Sequence, residues 1–120
     1  MDTKAWLEKI GQTIDAKDSV GFASFMTEGG IFRFGNQPEV VGRQATADYV
    51  AAFFGMIKSS KHEVVNFLED KNVIVWEGKV TYTRLDEKIV PVSFCNVFYM
   101  KDGLISQYLI YIDNTPLFAE

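Results

Sequence analysis

Two hydrophobic periods divide the chain. In the first half, Trp6, Ile10 and Ile14 recur every four residues with Leu7 beside them, while Lys4, Glu8, Gln12 and Asp15 take the other side. That spacing predicts an amphipathic helix. Asp18 suits the N-cap of a second, short helix carrying Phe22, Phe25 and Met26 on one stripe. Gly29-Gly30 is expected to end that helix, and Ile31-Phe32-Arg33-Phe34 reads as a short strand. Asn36-Gln37-Pro38 turns the chain, and Val41-Gly42-Arg43 leads into a third helix. Its Val50, Phe53, Phe54 and Ile57 stand at i, i+3, i+4 and i+7. From Lys61 onward the period becomes two. Four strands are predicted, at about 62–69, 72–84, 88–101 and 104–113, joined by short polar turns. Three N-terminal helices packed on a mainly antiparallel sheet make an α+β fold. No linker or repeat interrupts residues 1–120, so one domain is expected.

The strand faces carry a second message. Ile74, Trp76, Val80 and Tyr82 share one face, opposite Val73, Val75, Glu77, Lys79, Thr81 and Thr83. That is the alternation of a half-buried sheet. Later the alternation fails: Phe94, Phe98 and Met100 oppose Cys95, Val97 and Tyr99, and Ile110 and Ile112 oppose Leu109 and Tyr111. The helices can cover one face only, so a homodimer through the other face is expected.

Composition sharpens this picture. Aromatic residues make up 14% of the chain and include ten Phe, bulk that a ligand cavity or a subunit interface would use. A net charge of −4 with no basic cluster argues against nucleic acid or an anionic membrane surface as a partner. One Cys and one His leave no multi-Cys or His-rich metal site, so neither metal nor cofactor is expected. No leader-like segment and no apolar run near the ~20 residues of a membrane span are visible, which makes the cytoplasm the expected location.

Four segments, taken in order, carry a family resemblance: Phe-Arg-Phe-Gly-Asn (32–36), Val-Gly-Arg (41–43), Val-Thr-Tyr-Thr-Arg-Leu-Asp (80–86) and Tyr-Ile-Asp-Asn-Thr-Pro-Leu-Phe (111–118). With the element order, they resemble the nuclear-transport-factor-two-like (cystatin-like cone) superfamily, in its SnoaL-like polyketide cyclase and ketosteroid isomerase-like branch. The resemblance implies a cone with a deep apolar cavity holding one or two polar side chains. It is much less specific for activity, because the superfamily includes cyclases, isomerases, epoxide hydrolases and non-catalytic binding modules.

By that resemblance Asp113, ending the last strand, is the first candidate for a catalytic carboxylate, a base for a proton next to a carbonyl. Its structural role would be to start the Asn114-Thr115-Pro116 turn. Asn96, an amide in an apolar strand, is the candidate to stabilise a developing oxyanion, although strand parity leaves open whether Cys95 or Asn96 faces inward. His62, the only histidine, is a candidate acid–base group that shares a face with Val64, Asn66 and Leu68 in this reading. Cys95 lacks a visible base and reads as a small core residue. Phe32, Phe34, Phe54, Trp76, Tyr82 and Tyr111 are the expected walls for a small hydrophobic ligand, with Phe53 beside Phe54, and Arg33 is expected to point outward toward an acid.

Arg84-Leu85-Asp86 is similar to an element of limonene epoxide hydrolase, but it runs into a hairpin turn, and Phe32 and Phe34 replace that enzyme's water-holding side chains. Two functions therefore compete. One is a cyclase- or isomerase-type enzyme using a pocket carboxylate; the other is a non-catalytic ligand-binding or dimeric scaffold module.

Overall fold

The computed structural model describes residues 1–119. Helices α1 (Thr3–Asp15) and α2 (Ser19–Ala23) precede strand β1 (Met26–Phe34) and the two-residue strand β2 (Val40–Val41). Helix α3 (Arg43–Phe54) follows, then β3 (Ile57–Asp70), β4 (Val73–Arg84), β5 (Ile89–Lys101), β6 (Leu104–Ile112) and a short α4 (Thr115–Phe118). The strands form one sheet in the order β2-β1-β6-β5-β4-β3. Neighbours pair antiparallel except β1 and β6, which run parallel.

The predicted Asp18 cap is made, and the structure adds a second, Asp2, at the start of α1. Asp2 accepts a hydrogen bond from the Ala5 amide at 3.1 Å, and Asp18 accepts one from the Gly21 amide at 2.9 Å. The second helix is shorter than expected. Met26 belongs to β1, paired with Ile105, and Gly29-Gly30 lies inside the strand rather than at a helix end. The pairing with β6 shifts between Met26 and Ile31, which marks a bulge there. A side chain at Gly30 would press on the Ile105 carbonyl at 3.2 Å, so the glycine permits a close backbone approach. Ile57 is likewise a strand residue, buried at the start of β3 rather than on α3.

The core lies between the helices and the concave inner face of the sheet. Leu7, Ile10, Phe22, Val50 and Phe54 from the helices meet Met26, Phe32, Ile74, Trp76, Val80, Phe98 and Tyr108 from the strands. The inward set on β4 is the one the alternation predicts. In β3 a shift in pairing between Val64 and Asn66 changes parity. His62 and Val64 are half-buried, whereas Asn66 and Leu68 pair with Glu77 and Val75 on the outer side, contrary to the shared face expected from the sequence. The extra residue is the reason, because one insertion turns every later side chain to the opposite face.

Candidate functional site

At the centre of the cone lies a cavity of about 40 Å³. Its walls include Phe32, Phe34, Phe53, Phe54, Tyr82 and Phe94, and its polar members are His62, Asn96, Tyr82 and Tyr108. A larger vestibule of about 590 Å³ opens at the cone's mouth, between the turn at Gly35-Asn36-Gln37, α3, and the segment 112–118. Phe34, Phe53 and Ile112 line both spaces, so they form the partition. The Phe34 and Phe53 rings meet edge to face with centroids 4.9 Å apart.

His62 is held by a partner the sequence reading did not pair with it. Asp15, the last residue of α1, lies 2.6 Å from the His62 Nδ1 through Oδ1. Its Oδ2 accepts the His62 backbone amide at 2.9 Å, and Oδ1 also accepts the Ser60 hydroxyl at 2.8 Å. Burial works against the Asp15 carboxylate. The His62 ring, its charge and backbone amide, and the Ser60 hydroxyl outweigh that penalty and hold the Asp15 pKa below the usual carboxylate range. An ionised carboxylate can only accept, so in the neutral imidazole Nδ1 carries the proton and Nε2 is the basic nitrogen. Ring packing fixes the remaining freedom: Phe94 meets the imidazole edge-on at 5.7 Å, and Trp76 lies 6.0 Å away. Gly78 makes this possible, since a Cβ there would sit 2.3 Å from Phe94 and 2.7 Å from the Trp76 indole nitrogen.

The parity of β5 comes out with Asn96 inward, 2% exposed, and Cys95 on the outer side of the sheet. Cys95 is therefore half-buried at an outer groove rather than in the core. Burial pushes its thiol pKa up, and the Glu77 charge adds to that, which suits an unreactive thiol. Beside Asn96 stands Tyr108, 1% exposed. Burial pushes the Tyr108 hydroxyl pKa well up, only partly offset by the Asn96 side chain. Among the described residues neither the Asn96 Oδ1 nor the Tyr108 hydroxyl has a well-formed hydrogen-bond partner. Tyr82 is raised in the same way by burial.

Asp113 stands elsewhere. It is exposed at the vestibule's rim, where its Oδ1 accepts the Thr115 amide at 3.0 Å and the Thr115 hydroxyl at 2.6 Å. These bonds hold its pKa below the usual carboxylate range, the opposite of a desolvated cavity base. The turn-starting role is the one its geometry shows. Two expected walls also move. Trp76 is wholly buried behind the cavity, its indole N–H donating to the Glu63 carbonyl at 3.3 Å, and Tyr111 is 59% exposed on the outer face. Phe32, Phe34, Phe54 and Tyr82 do line the cavity. Arg33 points outward, but its Nε donates to the Gln37 carbonyl at 3.2 Å rather than to an acid. Arg84 and Asp86 pair at 2.9 Å beside the β4–β5 hairpin, and Arg84 also bonds the Ala119 carbonyl; neither lines the cavity or the vestibule that Asp113 borders. Among the described residues no three His, Cys, Asp or Glu side chains converge as metal ligands, and no helix is long and apolar enough to cross a membrane.

A curved sheet wrapped by helices around a small, mostly apolar cavity defines a cone-type α+β pocket protein. Residues 6–108 match the model of the SnoaL-like domain, and the chain belongs to that family, within the NTF2-like superfamily. No curated protein matches the chain. Among solved structures it is similar to a protein from Jannaschia described as a SnoaL-like polyketide cyclase (17% identity, 92% of this chain and 87% of that one, TM-score 0.76). It is also similar to an NTF2-like protein of unknown function from Burkholderia pseudomallei (12% identity, 98% and 95% covered, TM-score 0.85). A third is an LEH-like epoxide hydrolase from M. tuberculosis (15% identity, 92% and 81% covered, TM-score 0.76). At these identities the likeness is one of fold.

Proposed function

We propose that this chain is a small acid–base enzyme of the cyclase or isomerase type, acting on a hydrophobic carbonyl compound. His62 is the proton-transferring group, Asp15 positions it, and Asn96 with Tyr108 forms the polar end of the site. The observation that supports this is the Asp15–His62 pair at 2.6 Å on the wall of an apolar cavity. Such a pair fixes the tautomer and leaves the imidazole Nε2 as the nitrogen that can accept a proton. The exposed Asp113 is a poorer base for the same work, and the separation of Arg84 and Asp86 from the cavity gives epoxide hydrolysis no support.

The test is deuterium exchange of the ring protons next to the carbonyl of 2-tetralone in heavy water, followed by NMR. Exchange above the buffer rate is expected, with a loss of about 100-fold or more in His62→Gln. Variants of His62 and Asp15 that exchange as fast as the parent would remove the pair from the mechanism. The small volume of the cavity favours a second reading, a non-catalytic binding module. It gains if the parent protein never exceeds the buffer rate.

We also propose a homodimer through the outer sheet face. There Leu68, Val75, Cys95 and Tyr111 surround a shallow groove that also carries Glu77 and Lys79. A twofold axis over adjacent acidic and basic residues brings each against the other's opposite, which a second copy satisfies without a new surface.

A further inference from the structure

The central cavity is too small for a whole substrate. Pockets for drug-sized molecules run to about 300–1,000 Å³, and a water needs only about 10–15 Å³. A space of about 40 Å³ therefore holds one functional group, while the vestibule of about 590 Å³ has room for a ring-sized apolar body. What meets that group is specific. The Asn96 Oδ1 can only accept, the Tyr108 hydroxyl can donate or accept, and both are buried. They stand side by side, the Asn96 side chain close enough to offset part of the burial of the Tyr108 hydroxyl. Yet neither oxygen finds a well-formed partner among the described residues, and an unmade buried hydrogen bond costs about 1–3 kcal/mol per group. A carbonyl oxygen would serve Tyr108 and leave the Asn96 oxygen unmet. A hydroxyl serves both, donating to Asn96 and accepting from Tyr108.

We propose that the ligand of this site is an apolar ring compound bearing a hydroxyl group, with the hydroxyl seated between Asn96 and Tyr108 and the ring in the vestibule. On the acid–base reading above, the substrate is then a hydroxylated carbonyl compound; the binding claim rests only on that reading's choice of cavity. The partition follows from the same geometry. The hydroxyl reaches the cavity past the Phe34–Phe53 pair, whose members are only half-buried and belong to different elements, β1 and α3, while the ring stays on the vestibule side.

The experiment compares three probes on one skeleton by calorimetric titration of the intact chain. 2-Tetralol can donate and accept, 2-tetralone can only accept, and tetralin can do neither. The alcohol is expected to bind about tenfold tighter than tetralin, the net worth of one to two hydrogen bonds, and several-fold tighter than the ketone. In Asn96→Leu the three affinities should fall within about twofold of one another. Tyr108→Phe removes only an oxygen and keeps the ring, so it serves if the leucine variant does not fold; it should reduce the alcohol's advantage by several-fold. Equal binding of alcohol and ketone overturns the proposal, as does equal binding of alcohol and tetralin. Failure of all three to bind overturns it too and leaves a cavity reserved for water. The acid–base reading fails separately, through proton exchange that is insensitive to His62.

Discussion

The two faces of the sheet are built from the same strands and meet opposite fates. On the inner face Trp76, Phe98 and Tyr108 are at most 1% exposed, and their rings are chained with Phe94 and Phe22 at centroid distances of 4.5–6.5 Å. On the outer face Leu68 is 65% exposed and Tyr111 59%. The inner face has helices to bury against, so its aromatics interlock and leave only a small polar-ended hollow. The outer face mixes similar apolar residues with Glu77, Lys79 and Ser93, and none of the described residues covers it. Aromatic abundance alone thus does not make a large cavity; most of the Phe surplus goes into packing.

The comparison can be broken hardest at Trp76. Trp76→Ala empties a site that is wholly buried and supports the His62 ring, and should cost about 3–5 kcal/mol in urea unfolding. A loss below about 1 kcal/mol would mean that the inner face is loosely packed and that the contrast with the outer face is false.

Asp15 tests the next level, the polar bonds that fasten α1 to the inner face. Asp15→Ala should cost about 1–3 kcal/mol at pH 7, since it strands the His62 amide and the Ser60 hydroxyl. The Asp15 pKa is lower folded than unfolded, so the folded state binds fewer protons in acid. The stability it contributes is complete above the ordinary carboxyl value of 3.8 and disappears as pH falls through the lowered folded value. Urea curves for parent and variant should therefore stay apart at pH 5–7 and converge toward pH 2–3. A gap that persists undiminished in acid would show that Asp15 stabilises by packing rather than by charge.

Much of this was legible in the sequence, and the failures share a cause. Ile74, Trp76, Val80 and Tyr82 could be read because strict alternation is a local pattern. Asp18 could be read because a cap is a short-range bond. Gly29-Gly30 misled because two glycines signal a turn as readily as a bulge, and only the approach of Ile105 distinguishes them. The face of Leu68 was misassigned because the shift between Val64 and Asn66 depends on the neighbouring strand. Asp15 went unpaired with His62 because 47 residues separate them. The signals available were a lone histidine on a half-buried strand and an acidic residue directly after the apolar stripe at Ile14. Neither names the other without the fold.

On the outer face the expected effect on the single chain is small and the effect on assembly is large. Leu68→Glu combined with Tyr111→Glu should change the stability of an isolated protomer by no more than about 0.5 kcal/mol per site. In sedimentation velocity the parent is expected to run as a dimer and the double variant as a monomer. A monomeric parent at tens of micromolar would leave the outer face bare and end the dimer proposal.

The smallest effect is expected at Asp113, the residue that sequence resemblance favoured most. Asp113→Asn keeps an Oδ1 that can still accept the Thr115 amide and hydroxyl, so the turn into α4 should survive and the thermal midpoint should hardly move. Proton exchange into 2-tetralone should be equally unaffected, because the side chain is exposed at the rim and its pKa is lowered rather than raised. Replacing Asp113 and His62 in parallel therefore weighs the rim against the cavity wall. If the asparagine variant lost exchange while His62→Gln kept it, the working carboxylate would lie at the mouth, and the enclosed face would be scaffold alone.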